Sequence, residues 1–138
     1  MIGLNRIFIL GYLGGDPQTH PTKAGGRYTT LSIATHRKMA ATGPREEKEF
    51  KSATDWHYVR VWGKQGESCA RFLQKGHPVL VEGYLTQVPQ QKEGKTERYT
   101  AINAIRVDFL PRSKNATDES LLTVTEDIEK MGDQSPIM

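Results

Sequence analysis

A chain of 138 residues with a single cysteine, Cys69, can bury a real core but cannot be stapled by an internal disulfide. Its net charge of +3 conceals a division: residues 1–114 carry 18 Lys or Arg against 10 Asp or Glu (+8), and residues 115–138 carry Lys130 against six acids (−5). A basic body with an acidic end points to a polyanionic partner. No stretch approaches the roughly 20 apolar residues of a membrane span, and Met1 to Arg6 lacks the apolar run of a signal peptide. A cytoplasmic protein in a reducing compartment is expected.

The first predicted strand is Arg6 to Leu13, where Ile7, Phe8, Ile9 and Leu10 form an apolar run without clean alternation. Such a run predicts burial on both faces or at an interface, with Ile7 and Ile9 as candidate contacts between subunits. Gly14-Gly15 lacks the Gly-Lys-Ser/Thr ending of a phosphate loop. Lys23 to Gly26 reads as a turn, and Tyr28 to His36 as the second strand. Arg37 to Ala53 reads as a long, charged loop, a kind of segment that is functional or disordered.

The third strand is Asp55 to Lys64. Alternate side chains of a strand point to opposite faces, so Trp56, Tyr58, Arg60 and Trp62 share one face, and His57, Val59 and Val61 the other. Three aromatics beside a guanidinium suit flat, anionic ligands such as unpaired bases, each stacked base contributing roughly 1–3 kcal/mol. Aromatic strands also fill barrel cores, and the strand by itself leaves both readings open. Cys69, Phe72 and Leu73 then mark the apolar stripe of a helix over Gln65–Lys75, stopped by Gly76. Cys69 reads as a packing residue. Pro78 to Gln87 is the fourth strand, with Tyr84 facing away from Val79 and Val81. A hairpin loop over Pro89–Thr96 carries Lys92 and Lys95. Arg98 to Leu110 is the last strand, with Tyr99, Ala101, Asn103, Ile105, Val107 and Phe109 in alternation.

Three strands, a short helix and two more strands is the order of the OB-fold, an all-β, five-stranded Greek-key barrel. Its ligand face lies on strands two and three, where the aromatic strand falls. The division expected is a domain over residues 1–111 and a flexible acidic tail over 112–138.

The segments Asn5 to Pro17, Leu31 to Thr35, Thr54 to Lys64, Leu73 to Gly76, Val81 to Leu85 and Arg98 to Thr100 occur in this order over about residues 1–110. They resemble the bacterial single-stranded DNA-binding protein family, from which the stacking magnitude above is itself drawn. The resemblance implies a homotetramer, with a dimer as the alternative, that wraps single-stranded DNA during replication, recombination and repair, without catalysis and in association with the nucleoid. By position, Trp56 and Trp62 match the family's stacking aromatics, and His57 matches a residue of subunit contacts. Tyr58, Met39 and Tyr84 join the stacking candidates. Arg37, Lys38, Arg60, Lys64, Lys92, Lys95 and Arg98 are candidates to follow phosphates.

The chain departs from the family at three places. Met39 and Gln90 stand where many members have tryptophan, which implies fewer stacked bases and more reliance on charge. The family's acidic tip, which binds replication and repair enzymes, is altered here to Asp133-Gln134-Ser135-Pro136-Ile137-Met138. Asp133, Pro136, Ile137 and Met138 are what remains for partner binding.

An enzyme is disfavoured. His20, His36, His57 and His77 show no metal-ligand spacing with Cys69, and no His-Glu-x-x-His or Cys-x-x-Cys occurs, so no metal or cofactor is expected. An RNA-binding OB module and a primosomal-type adaptor are the other classes compatible with the pattern.

Overall fold

The computed structural model describes residues 1–39 and 52–112. They form β1 (Ile7–Leu13), β2 (Gln18–Pro21), β3 (Arg27–Lys38), β4 (Ser52–Trp62), α1 (Gly63–Phe72), β5 (Pro78–Lys92) and β6 (Lys95–Phe109). The strand order is β1-β5-β6-β4-β3-β2, and β1 also pairs with β3. That second pairing joins Tyr12 to Ala34 and Leu13 to Ile33, which closes β1, β5, β6, β4 and β3 into the expected five-stranded barrel. β2 lies outside the ring, paired to β3 alone. Closure brings β1 and β3 so near that a side chain at Gly11 would collide with the Ala34 carbonyl.

The core follows from alternation. Leu31 and Ile33 of β3, Val59 and Val61 of β4, and Val79 and Val81 of β5 point inward and are buried. Cys69 and Leu73 join this same cluster from α1 and the residue that ends it. Burial raises the Cys69 thiol to about 12, so it remains a protonated packing group. A left-handed Gly63 (φ 67°) turns the chain from β4 into α1, a conformation glycine adopts without a Cβ penalty.

Several elements differ from the sequence reading. β1 alternates cleanly. Ile9 lies in the core and Ile7 packs against it, whereas Phe8 and Leu10 are 64% and 62% exposed. Of the two alternatives, burial on both faces within one chain is not what is found, whereas outward Phe8 and Leu10 fit the interface alternative. At 7% exposure the Ile9 side chain serves mainly the core, leaving little surface for a partner subunit. Arg37, Lys38 and Ala53, assigned to a loop, belong to the paired ends of β3 and β4. The rest of that loop, residues 40–51, lies outside the described residues, as do 113–138 with Asp133, Pro136, Ile137 and Met138. The helix begins two residues earlier than expected and ends at Phe72, whose ring is 59% exposed rather than in the stripe. β5 and β6 continue as a paired ribbon down to Lys92 opposite Lys95, leaving Glu93-Gly94 as the turn.

β6 also breaks its alternation. Glu82 pairs with Arg106 and Gly83 with Ala104, so Ile105 is an extra residue, a β-bulge. Ile102 and Ala104 face the core on one side of it, Val107 on the other, and Ile105 is 46% exposed. The Gln65 side chain holds the bulge. Its Nε2 donates to the Ile105 carbonyl (3.1 Å), and its Oε1 accepts from the Val107 amide (2.9 Å).

Candidate nucleic-acid interface

Cross-strand register builds one outer face from four strands. Trp56, Tyr58, Arg60 and Trp62 of β4 stand opposite Ala34, Ser32, Thr30 and Tyr28 of β3. On the other flank Arg60 aligns with Asn103 of β6, and Asn103 with Tyr84 of β5. Directly opposed residues share a face, so the aromatics of β4 lie on the outside of the barrel, and the core reading of Trp62 is excluded by its 43% exposure.

Asn103 organises one end of this face. It is 9% exposed, and its Oδ1 accepts from Arg60 Nε (3.1 Å) and from Trp62 Nε1 (3.2 Å). Its Nδ2 donates to the Tyr84 hydroxyl (3.4 Å). The Arg60 guanidinium carbon also stands 5.1 Å from the Trp62 ring centroid, within cation–π range. The Arg60 guanidinium is thus drawn to the electron-rich ring, with further donors left for an anion. Beyond Trp62, Tyr28 packs at 4.8 Å and His20 of β2 stacks on Tyr28 at 5.1 Å.

At the other end Trp56 packs with Tyr12 and Ala34 as a small apolar cluster outside the barrel. Gly14 makes room for it, since a Cβ there would fall on the Trp56 ring. Between the two ends Tyr58 meets Tyr99 of β6 at 5.8 Å. Burial, then the adjacent Tyr99 phenol, raises the Tyr58 hydroxyl to about 12, so it stays neutral and able to donate a hydrogen bond at ordinary pH.

The candidate cations divide by face. Lys92 and Lys95 pair directly across the ribbon, with the same parity as Tyr84, Tyr99 and Gln90. Lys38 shares its parity with Ala34 and Tyr28, and Lys64 is exposed in the first turn of α1, two residues beyond Trp62. Arg98 has the opposite parity to Tyr99. Arg37 also falls on the opposite face, where its Nε donates to Asp55 Oδ2 at 2.7 Å. That bond raises the Arg37 pKa and holds the Asp55 carboxyl below its usual range. His57 shares this second face. Its Nε2 lies 2.8 Å from Thr35 Oγ1, and burial lowers its pKa although Asp55 opposes the shift. Met39 is 46% exposed just past the end of β3.

Sequence reasoning missed Tyr28, His20 and Asn103 as members of the face. Tyr28 carries a signal, being the aromatic of its strand on the parity of Thr30 and Ser32. Asn103 carries none until β4 and β6 are known to pair in parallel.

A closed five-stranded barrel with rings and cations on one outer face defines an OB-fold binding module. The chain matches the model of the single-strand binding protein family over residues 4–110, and it belongs to that family. It is 33% identical over 134 residues to the single-stranded DNA-binding protein of Aquifex aeolicus, covering 94% of this chain and 88% of that relative. The corresponding protein of Xanthomonas campestris is 36% identical over 100 residues, covering 71% of this chain and 55% of its own length. Among solved structures, the Plasmodium falciparum SSB complex with ssDNA superposes with a TM-score of 0.68 at 26% identity, over 80% of this chain and 98% of that one. The wild-type single-stranded DNA-binding protein of Thermus aquaticus superposes with a TM-score of 0.64 at 28% identity, over 79% of this chain and 51% of that one. No helix among the described residues is long and apolar enough to cross a membrane.

Proposed function

We propose that this protein binds single-stranded DNA without regard to sequence, protecting and organising it during replication, recombination and repair, and that it does so without catalysis. The observation that carries this reading is the outer face of β4, where Trp56, Tyr58, Arg60 and Trp62 stand side by side outside the core. Every base has a π-face, so stacking tolerates any sequence, and cations along the backbone add a salt-dependent term. Lys92 and Lys95 favour an anion for a further reason. Like charges directly opposed across a ribbon repel, and a phosphate between them would relieve that repulsion.

Self-association is part of the proposal, with a homotetramer as the assembly and a dimer as its alternative. Phe8 and Leu10, exposed on β1, supply apolar surface for it. His57, on the face away from the rings, belongs to the same expectation. Recruitment of replication and repair enzymes by the acidic end is proposed through Asp133, Pro136, Ile137 and Met138.

The chain has two tryptophans, both on the proposed face, so their fluorescence reports on it directly. Titration with oligo-dT at two salt concentrations should quench it, with a weak response to duplex DNA and a loss of affinity at high salt. An equal response to oligo-rU would favour the RNA-binding module. No quench with any nucleic acid would refute the proposed face.

A further inference from the structure

The row of rings does not end on β4. Trp62 packs on Tyr28 of β3 with 4.8 Å between centroids, and Tyr28 stacks on His20 of β2 with 5.1 Å and 28° between planes. The register explains the row, since Tyr28 is the cross-strand partner of Trp62 and His20 that of Tyr28. The three rings therefore run across three strands, at right angles to the chain direction, along one outer face.

Two features separate this row from simple packing. All three rings are at least partly exposed, with the barrel core on the opposite face of β3 and β4. The imidazole is also held in place. Its Nε2 lies 3.2 Å from Oγ1 of Thr30, a residue 2% exposed. A ring inside a stack has a neighbour over a π-face, so the next base finds its open π-face at the end of the row. That end is His20, on the outermost strand of the sheet. The turn that follows β2 is closed by Gly26 N donating to the Thr22 hydroxyl Oγ1 (2.9 Å), and it carries Lys23.

We propose that the path for single-stranded DNA continues from β4 across Tyr28 to His20, where an unpaired base stacks on the imidazole and its phosphate lies toward Lys23. This rests on the binding function proposed above and adds a contact at the β2 edge.

The test uses the full-length protein and oligo-dT carrying one 5-iodouracil at successive positions. Irradiation followed by peptide mapping should give adducts on His20 or Tyr28 as well as on Trp56 or Trp62. In parallel, His20→Ser and Tyr28→Ser should each weaken oligo-dT binding about fivefold or more, the lower end for one stacked base. The loss from His20→Ser should persist in a Trp62→Ala background, whereas a ring that only supports Trp62 would lose its effect there. His20→Tyr should restore the affinity. Adducts confined to β4, together with unchanged affinity in folded His20→Ser and Tyr28→Ser, would overturn the extension and leave the β4 interface standing. Failure of the unaltered protein to bind oligo-dT would overturn both.

Discussion

The two tryptophans of β4 share a face and are six residues apart, yet they sit in different chemistry. Trp56 packs with Tyr12 and Ala34 over a notch left by Gly14. Trp62 is held by polar groups: its Nε1 donates to Asn103, Arg60 lies against its ring and Tyr28 packs on it. The contrast teaches that one stretch of alternating aromatics can supply two kinds of platform. One leans on Tyr12, Ala34 and the Gly14 notch, the other on a buried amide that orients a ring and a cation together.

The largest expected effects come from removing each ring. Trp56→Ala and Trp62→Ala should each weaken oligo-dT binding by roughly 1–3 kcal/mol, the worth of one stacked base. Their effects on stability should differ. Truncating a fully buried aromatic costs about 3–5 kcal/mol, so partly buried Trp56 should lose some of that, and Trp62, 43% exposed, much less. Thermal unfolding of the two variants measures the difference, and equal losses would break the comparison. Gly14→Ala should act on the Trp56 end alone, because its Cβ displaces that ring.

The next effect belongs to Asn103. Asn103→Leu leaves Arg60 Nε and Trp62 Nε1 without their acceptor, a loss nearer the roughly 1 kcal/mol net worth of a hydrogen bond than the larger penalty for a fully buried group, because water reaches both side chains. Affinity should fall with it, because Trp62 and Arg60 lose their orientation. Tyr84→Phe, which removes a 3.4 Å contact, should change little. A normal fluorescence titration in Asn103→Leu would show that Trp62 does not depend on the amide.

These two residues also mark where the sequence could be read and where it could not. The period of two in Trp56-His57-Tyr58-Val59-Arg60-Val61-Trp62 places the rings and the core valines on their faces without further information. Strand order and the intervening helix give the barrel. Asn103 was invisible because its role depends on a parallel pairing between strands more than 40 residues apart (|i−j| 41 to Trp62). The bulge at Ile105 was invisible for a related reason, since the surrounding alternation reads as unbroken until the partner strand counts one residue fewer. Short β2, with Gln18, Thr19, His20 and Pro21, has too little apolar periodicity to announce itself. Which of the β1 residues fill the core and which look outward was not legible, because hydropathy does not say which side of a barrel wall a residue faces.

A smaller effect separates charge from stacking. Lys92→Gln with Lys95→Gln should leave the fluorescence quench at saturation intact and lower the salt slope. Each phosphate contact to a single strand contributes about 0.7 log units of affinity per decade of salt, so removing two should flatten the slope by about 1.4. Arg37→Gln should leave the slope unchanged, because Arg37 lies on the opposite face, bonded to Asp55. A slope altered by Arg37→Gln and not by the lysine pair would reverse the division of cations between the two faces.

The smallest effect is a pH dependence confined to the face away from the rings. Burial lowers the His57 pKa in the folded chain, so the unfolded chain takes up a proton first as pH falls. Its contribution to stability is then fully present above the unfolded value of about 6.5 and is lost as pH drops through the folded value. Asp55, held low by Arg37, has the same sign but acts in the lower range where carboxylates titrate. His57→Gln should therefore flatten the stability profile as pH falls below the unfolded value of about 6.5 while sparing the acid limb, and oligo-dT affinity per folded molecule should hardly change. If that affinity shifted as much as it does in Trp56→Ala, His57 would be coupled to the rings, and the two faces of β4 would not be independent.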